Sequence, residues 1–266
     1  MGSNFVYSIK LRFAKVFFPI NYRFKRSKFS GLGHSTELTV AASRINRLIE
    51  ARGLASVRYL EIGIENGNTF RNVEAFTKTG VDPFPLISLP YQLQNLQILP
   101  KKSDAFFRDN ALMFDFVYLD GLHHYQQTYK DLINSFNRLS QNGLVLVDDI
   151  VPIDYPASLR SQIKCQEMKH REAIQNNYWM GDVYKIVYLL TKFHPEIHFM
   201  TIMERDQNPQ LICWRSDSTS TELLMSRLNE FESLDLDLSY ESVFSHGIPN
   251  VFNTKSFAHC ISHLRR

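Results

Sequence analysis

The sequence predicts an α/β fold built on parallel strands buried on both faces. Three observations predict it. Between Asp115 and Pro152 a short apolar run, Phe116 to Leu119, stops at Asp120-Gly121. Tyr125, Tyr129, Leu132, Ile133, Phe136 and Leu139 then recur at helical spacing, and a second apolar run, Leu144 to Val147, ends in Asp148-Asp149. Strand, helix and strand at this length make a βαβ unit with parallel strands. Upstream, Val57 to Ile62 reads as a strand that runs into the glycine-bearing turn Gly63 to Thr69, with a further strand ending at Asp82. Downstream, Ile197 to Ile202 and Leu211 to Trp214 read as a closing antiparallel pair.

Length and composition agree with one such domain carrying extensions. The 266 residues are 44% hydrophobic and 21% charged, as in ordinary soluble globular chains. Cys165, Cys213 and Cys260 lack metal-binding spacing and read as reduced structural thiols in a cytosol-like compartment. No apolar run reaches the roughly 18 residues of a membrane span, and no secretory signal pattern is present. The net charge of +3 is unevenly spread: residues 1–30 contain seven Lys or Arg and no acid. Elsewhere 23 basic residues face 27 acidic ones, a formal balance of −4. Three segments follow: a basic amphipathic arm at 1–30, a domain at 31–215 and a C-terminal extension at 216–266. Phe5, Ile9, Phe13, Val16 and Phe17 share one helical face of the arm, with Pro19 closing it, so residues 1–28 read as a helix packed on the domain, as a peripheral membrane contact, or as a transit peptide.

In order along the domain, Ser35-Thr36 offers an N-cap for a helix through about Arg52, with Leu38, Ala42, Ile45, Leu48 and Ile49 as its stripe and Gly53 as its end. After the first strand, a helix from about Thr69 to Phe76 leads to the strand ending at Gly80-Val81-Asp82. Gln94 to Leu99 is a third strand, and Lys101 to Phe107 a polar loop at the same edge. Asn142-Gly143 reads as the stop of the helix that starts after Asp120. Residues 153–180 form a long irregular or mixed segment, read as a cover over the acceptor side, with Tyr155, Tyr178 and Trp179 as stacking candidates. Asp182 is expected to cap a helix whose Val183, Ile186, Val187 and Leu190 face the sheet. Beyond Arg215 lie a polar joint, a helix marked by Leu223, Leu224, Leu228 and Phe231, and the alternating LDLDLSYE. That extension reads as an interaction or homo-oligomer element.

The strand ends point to a ligand. A glycine-bearing turn between strand and helix lets a ligand approach the backbone. An acid at the end of the second strand, here Asp82, is the usual partner of ribose hydroxyls. The loop has Gly63-x-x-x-Gly67 rather than the G-x-G-x-x-G that seats a pyrophosphate on a helix N-terminus. Its absence argues for a nucleoside ligand without phosphates, which points to S-adenosylmethionine.

The segments YLEIGIENGNTF, GVDPFP, SDAFF, FVYLDGLHHYQQTYKDL, GLVLVDDIVP and NYWMGDVYKIVYLL stand in the order and spacing of class I S-adenosylmethionine-dependent methyltransferases. The chain resembles most the bacterial group with a D-G-x-H-x-Y signature, similar to sugar O-methyltransferases, over about residues 57–215. The resemblance implies a doubly wound, seven-stranded, mostly parallel sheet. It implies that Glu61, Gly63 and Gly67 cradle the methionine part, that Asp82 binds the ribose, and that Ser103 and Asp104 lie near the adenine, with Asp120 also at the cofactor.

Methyl transfer to a hydroxyl needs donor and acceptor in line and a route for the acceptor proton. His123, expected one turn into its helix and titrating near neutral pH, is the candidate base beside Asp120. Asp120, Asp148 and Asp149 on one rim offer hard oxygen ligands for Mg²⁺. His124, about 100° further round a helix, is expected to be a bystander. The expectation is an O-methyltransferase of a saccharide or glycoconjugate in surface-polysaccharide synthesis, cytoplasmic and peripheral at the inner face of the membrane. The alternatives are a methyltransferase of a phenol or other small metabolite, and a non-catalytic S-adenosylmethionine-binding module. A nucleic-acid partner is not expected: the body is acidic and lacks a base-flipping motif of the Asn-Pro-Pro-Tyr type.

Overall fold

The computed structural model describes residues 38–87, 95–215 and 237–265. The basic arm, Ser35-Thr36 and the helix expected around Leu223 to Phe231 lie outside them. Helix α1, Val40–Ala51, starts later than the sequence suggests because Thr39 is its cap, accepting the Ala42 N–H at 3.0 Å. Leu38 precedes the helix and is exposed. Strand β1, Arg58–Ile62, is followed by the short helix α2, Asn68–Asn72, then β2, Thr77–Val81, and β3, Leu96–Leu99. The polar loop expected after β3 is instead helix α3, Ser103–Asp109, whose Phe106 and Phe107 are buried. The βαβ unit is as expected: β4, Phe114–Leu119, helix α4, Tyr125–Asn137, and β5, Leu139–Val147.

Two details of that unit differ from the sequence reading. Helix α4 ends at Asn137, and Asn142-Gly143 lies within β5, where Phe114 pairs Leu139 but Phe116 pairs Leu144. The extra residues bulge out of the ladder rather than stopping a helix. At the other end, α4 begins at Tyr125, so His123 and His124 precede it. Asp182 does not cap the helix that follows it. Its Oδ1 accepts the Tyr125 N–H at 2.9 Å, so it caps α4 from 57 positions downstream.

The chain then forms a 3-10 turn at Pro156–Ser158, helix α5 at Gln162–Arg171, a 3-10 turn at Val183–Lys185 and helix α6 at Ile186–Phe193. Strands β6, Ile197–Ile202, and β7, Gln210–Arg215, are the expected antiparallel pair. The C-terminal residues add helix α7, Tyr240–Phe244, strand β8, Thr254–Lys255, and helix α8, Phe257–Leu264.

The sheet order is β3-β2-β1-β4-β5-β7-β6-β8. Its first five strands are mutually parallel, β7 is antiparallel to β5, and β8 adds a two-residue eighth strand beside β6. This is the doubly wound, mostly parallel α/β class. One face packs Leu60, Val117, Val145 and Leu211 against α3, α4 and α6, together with Val243 and Phe252 from the C-terminal residues. The other packs Tyr59, Phe116, Leu146 and Ile212 against α1, α2 and α8, through Ile45, Leu48, Phe257 and Cys260. Both faces of the strands are therefore covered, which explains their unbroken apolar runs. All three cysteines are buried and free. Among the described residues no helix is long and apolar enough to cross a membrane.

Candidate active site

Strand order reverses between β1 and β4, and ligands of open α/β sheets bind at such a switch point, outside the carboxyl ends of the strands. Gly63 leaves β1 there with φ +87. A Cβ at this position would collide with the main chain of Asp120, so only glycine lets the two strand ends lie this close. Gly67 sits at the N-cap of α2, under Ile87. Glu61 is 2% exposed and accepts the Tyr59 hydroxyl at 2.6 Å. Burial raises its pKa to about 8, against the Tyr59 hydrogen bond and the more distant Lys78 charge. Asp82 follows β2 and shapes the loop: its oxygens accept the Glu65 N–H at 2.9 Å and the Phe84 N–H at 2.7 Å. Ser103 and Asp104 open α3, and both accept from the Gln127 side-chain amide, at 3.2 and 3.0 Å. Gln127 also donates to the buried Asp131, one turn further along α4, at 3.1 Å.

On the other side of the switch point, the carboxyl ends of β4 and β5 bring Asp120, His123 and Asp149 together. One ligand-type atom from each lies within 4.8 Å of the others. His123 Nε2 is 3.5 Å from Asp120 Oδ1, and its Nδ1 is 3.2 Å from Asp149 Oδ2 and 2.8 Å from the Trp179 carbonyl. The Trp179 ring stacks on the imidazole, with centroids 4.7 Å apart and 26° between planes. Trp179, expected as an acceptor-stacking group, therefore packs against His123. Gly181, at φ +63, allows this approach, because a Cβ there would collide with the His123 carbonyl oxygen. Tyr155 and Tyr178 are exposed in the same covering segment.

The electrostatics change the role expected of His123. Burial alone would lower its pKa; the charge of Asp149, the hydrogen bond and charge of Asp120 and the Trp179 carbonyl outweigh it and raise it to about 10. Burial pushes Asp120 and Asp149 up as well, with His123 opposing. The three groups hold a proton in common, centred on the ring between two carboxylates. At neutral pH this imidazole is a clamped cation rather than a free base titrating near 7.

Asp148 is not part of that group. Its Oδ2 accepts the Tyr118 hydroxyl at 2.6 Å, and its Oδ1 accepts from Asn208 at 2.7 Å and Gln210 at 3.1 Å. The metal-compatible set in the structure is thus Asp120, His123 and Asp149, where the sequence suggested Asp120, Asp148 and Asp149. His124 points elsewhere, with Nε2 3.2 Å from the Arg160 carbonyl. Sequence reasoning missed Tyr118, Gly181, Asn208 and Gln210. Only Tyr118 carried a signal, since residues two apart on a strand share a face with one another, here Tyr118 with Asp120.

Comparison with known proteins places residues 60–150, about a third of the chain, in a family described as a methyltransferase domain. The match begins within β1 and ends just past β5. No curated protein matches the sequence. Among solved structures, a Staphylococcus aureus protein provisionally assigned as a caffeoyl-CoA O-methyltransferase is 14% identical, with 67% of this chain and 84% of that one covered and a TM-score of 0.46. An O-methyltransferase from Bacillus cereus in complex with S-adenosylhomocysteine is 8% identical, with 79% and 97% covered and a TM-score of 0.44. A Podospora anserina methyltransferase, also bound to S-adenosylhomocysteine, is 15% identical, with 64% and 76% covered and a TM-score of 0.41. Likenesses this distant say nothing of the acceptor.

Proposed function

We propose that the chain is an S-adenosylmethionine-dependent O-methyltransferase acting on a hydroxyl of a saccharide or glycoconjugate. The observation that carries the cofactor reading is the concentration of carboxyls at the switch point. Glu61, Asp82, Asp120, Asp148 and Asp149 lie at the ends of four adjacent strands, with His123 as the cation among them. Such a rim presents carboxyl oxygens rather than the N–H cradle that a pyrophosphate needs, and suits a ligand whose ammonium and ribose hydroxyls donate hydrogen bonds. In this reading Glu61, Gly63 and Gly67 take the methionine end, Asp82 the ribose, Ser103 and Asp104 the adenine side, and Asp120 the region of the sulfonium.

The transfer itself is an in-line displacement. The acceptor oxygen attacks the methyl carbon, the carbon–sulfur bond breaks, and the sulfonium leaves as a neutral thioether. The acceptor proton passes into the Asp120–His123–Asp149 group, in which the ring is oriented by two carboxylates and the Trp179 carbonyl. The same three side chains would hold a divalent cation such as Mg²⁺ only once His123 has given up its ring proton, since one ligand atom from each then lies within 4.8 Å of the others. When bound, such an ion supplies Lewis acidity to the acceptor hydroxyl. The arm at residues 1–28 is read as a peripheral membrane contact: its seven cationic side chains and interleaved phenylalanines favour an anionic surface, at about 1 kcal/mol per charge.

The test is methyl transfer from methyl-labelled S-adenosylmethionine, with nucleotide-activated sugars in one series and catechols in the other. Label appearing in the sugars supports the full reading. Label only in the catechols keeps the methyltransferase and overturns the saccharide acceptor. For the arm, deleting residues 1–28 should abolish co-sedimentation with anionic liposomes while leaving the melting temperature unchanged. Unfolding of the truncated chain would contradict the membrane role.

A further inference from the structure

The Asp148-Asp149 pair is held by a loop that contributes nothing to the proposed chemistry directly. Residues 203–209 join β6 to β7, and Asn208 from this loop reaches across to the end of β5. Its Nδ2 donates to Asp148 Oδ1 at 2.7 Å and to Asp149 Oδ1 at 2.8 Å, so its two amide hydrogens serve two adjacent carboxylates. The main-chain carbonyl of the same residue accepts from Arg44 Nη1 at 2.7 Å. Arg44, on α1, is 2% exposed, and its guanidinium also donates to Gln210 at 2.9 Å and Gln207 at 2.9 Å. Gln210 in turn donates to Asp148 Oδ1.

Asp149 is also in an unusual backbone conformation. Its φ of +58 lies in the left-handed region, which a residue with a Cβ keeps only when its surroundings impose it. With Oδ1 held by Asn208, Oδ2 is left facing His123 at 3.2 Å. Two neighbouring carboxylates repel each other, and the bridging amide is what binds both at once.

We propose that Asn208 is a positioning residue: anchored to the buried Arg44, it pins Asp148 and Asp149 together and turns the Asp149 carboxylate onto His123. The inference rests on the reading of Asp120, His123 and Asp149 as the chemical centre. Arg44 acts through the loop, so a charge on the first helix fixes an acid at the end of the fifth strand.

The experiment uses the full chain labelled with ¹⁵N-histidine, with the His123 ring signals assigned by their loss in His123→Gln. Asn208→Leu removes the amide and keeps the main-chain carbonyl that Arg44 needs. At pH 7 its His123 Nδ1 signal should move, because Asp149 Oδ2 no longer faces that nitrogen, while the Nε2 signal, which faces Asp120, should move less. Gln207→Ala loosens the same loop's grip on Arg44 without touching either acid, and should leave those signals where they are in the wild type. Asn208→Ser, with a single donor for two carboxylates, should fall between them and decides the matter if the leucine variant does not fold. Unchanged His123 signals in the Asn208 variants, or an equal movement in Gln207→Ala, would overturn the proposal. Titration of the wild type with S-adenosylhomocysteine runs alongside: absence of binding removes the methyltransferase reading, while the ring signals still decide the role of Asn208.

Discussion

The Trp179 ring lies against the His123 imidazole at 4.7 Å, and the Trp179 carbonyl accepts from the same ring's Nδ1. One residue thus fixes both the plane and the edge of the imidazole. The covering segment is itself tied down behind it. Trp179 Nε1 donates to the Leu159 carbonyl at 2.7 Å. Lys169, 2% exposed, donates to the Tyr178 carbonyl at 2.8 Å and to Asn176, and pairs with Asp154 at 3.3 Å.

Trp179→Phe should keep the stack and lose one hydrogen bond, destabilising the fold by about 0.5–1.5 kcal/mol. Trp179→Ala should cost more, because the cation–π contact with a protonated ring, about 1–2 kcal/mol when desolvated, goes as well. Urea unfolding at pH 7 separates the two. Equal losses in both variants would show that the stack contributes nothing.

Glu61 gives a pH dependence of known sign. In the unfolded chain its carboxyl ionises near the ordinary 4.5; in the fold, burial holds the proton to about 8. The folded state therefore binds the extra proton, and stability falls as pH rises from about 4.5 to about 8 and stays reduced above. Glu61→Gln removes this loss and keeps an acceptor for the Tyr59 hydroxyl. The melting temperature of the variant should exceed that of the wild type at pH 8.5 and match it near pH 4.5. A difference that does not change with pH would contradict the buried, protonated Glu61.

The proposed proton-holding group makes a kinetic claim. His123→Ala should lower turnover by roughly 10²–10⁴ while leaving affinity for S-adenosylhomocysteine nearly intact. If a divalent ion assists, excess chelator should abolish activity, added Mg²⁺ should restore it, and Asp149→Asn should reproduce the chelated state. Full activity in chelator would leave the side chains alone to move the proton.

Much of this arrangement was legible in the sequence because it depends on short-range periodicity. Tyr59-Leu60-Glu61 and Tyr118-Leu119-Asp120 repeat one pattern at the ends of two strands that prove adjacent, with Glu61 opposite Tyr118 in the register. The glycine turn, Asp82 and the two acidic strand ends follow from the same local reading. What stayed hidden depends on groups far apart in the chain or on the main chain itself. The start of α4 shifts to Tyr125 because its cap comes from Asp182, and His123 consequently sits in a loop. The carbonyl of Trp179 carries no sequence signal, and Asn208 is 59 positions from the acid it pins. Asn142-Gly143 misled because a bulged strand and a helix stop use the same residue types.

The central claim is that the switch-point crevice is an S-adenosylmethionine site, and calorimetric titration of the full chain with S-adenosylhomocysteine tests it most directly. Asp82 is the residue to vary, because its carboxylate both shapes the loop through the Glu65 and Phe84 N–H groups and is the assigned ribose partner. Losing charge-assisted hydrogen bonds of about 1.5–3 kcal/mol each should weaken binding in Asp82→Ala by at least tenfold. The expected result is one site per wild-type chain and that loss in the variant. No binding by the wild type, or equal affinity in the two proteins, would contradict the assignment.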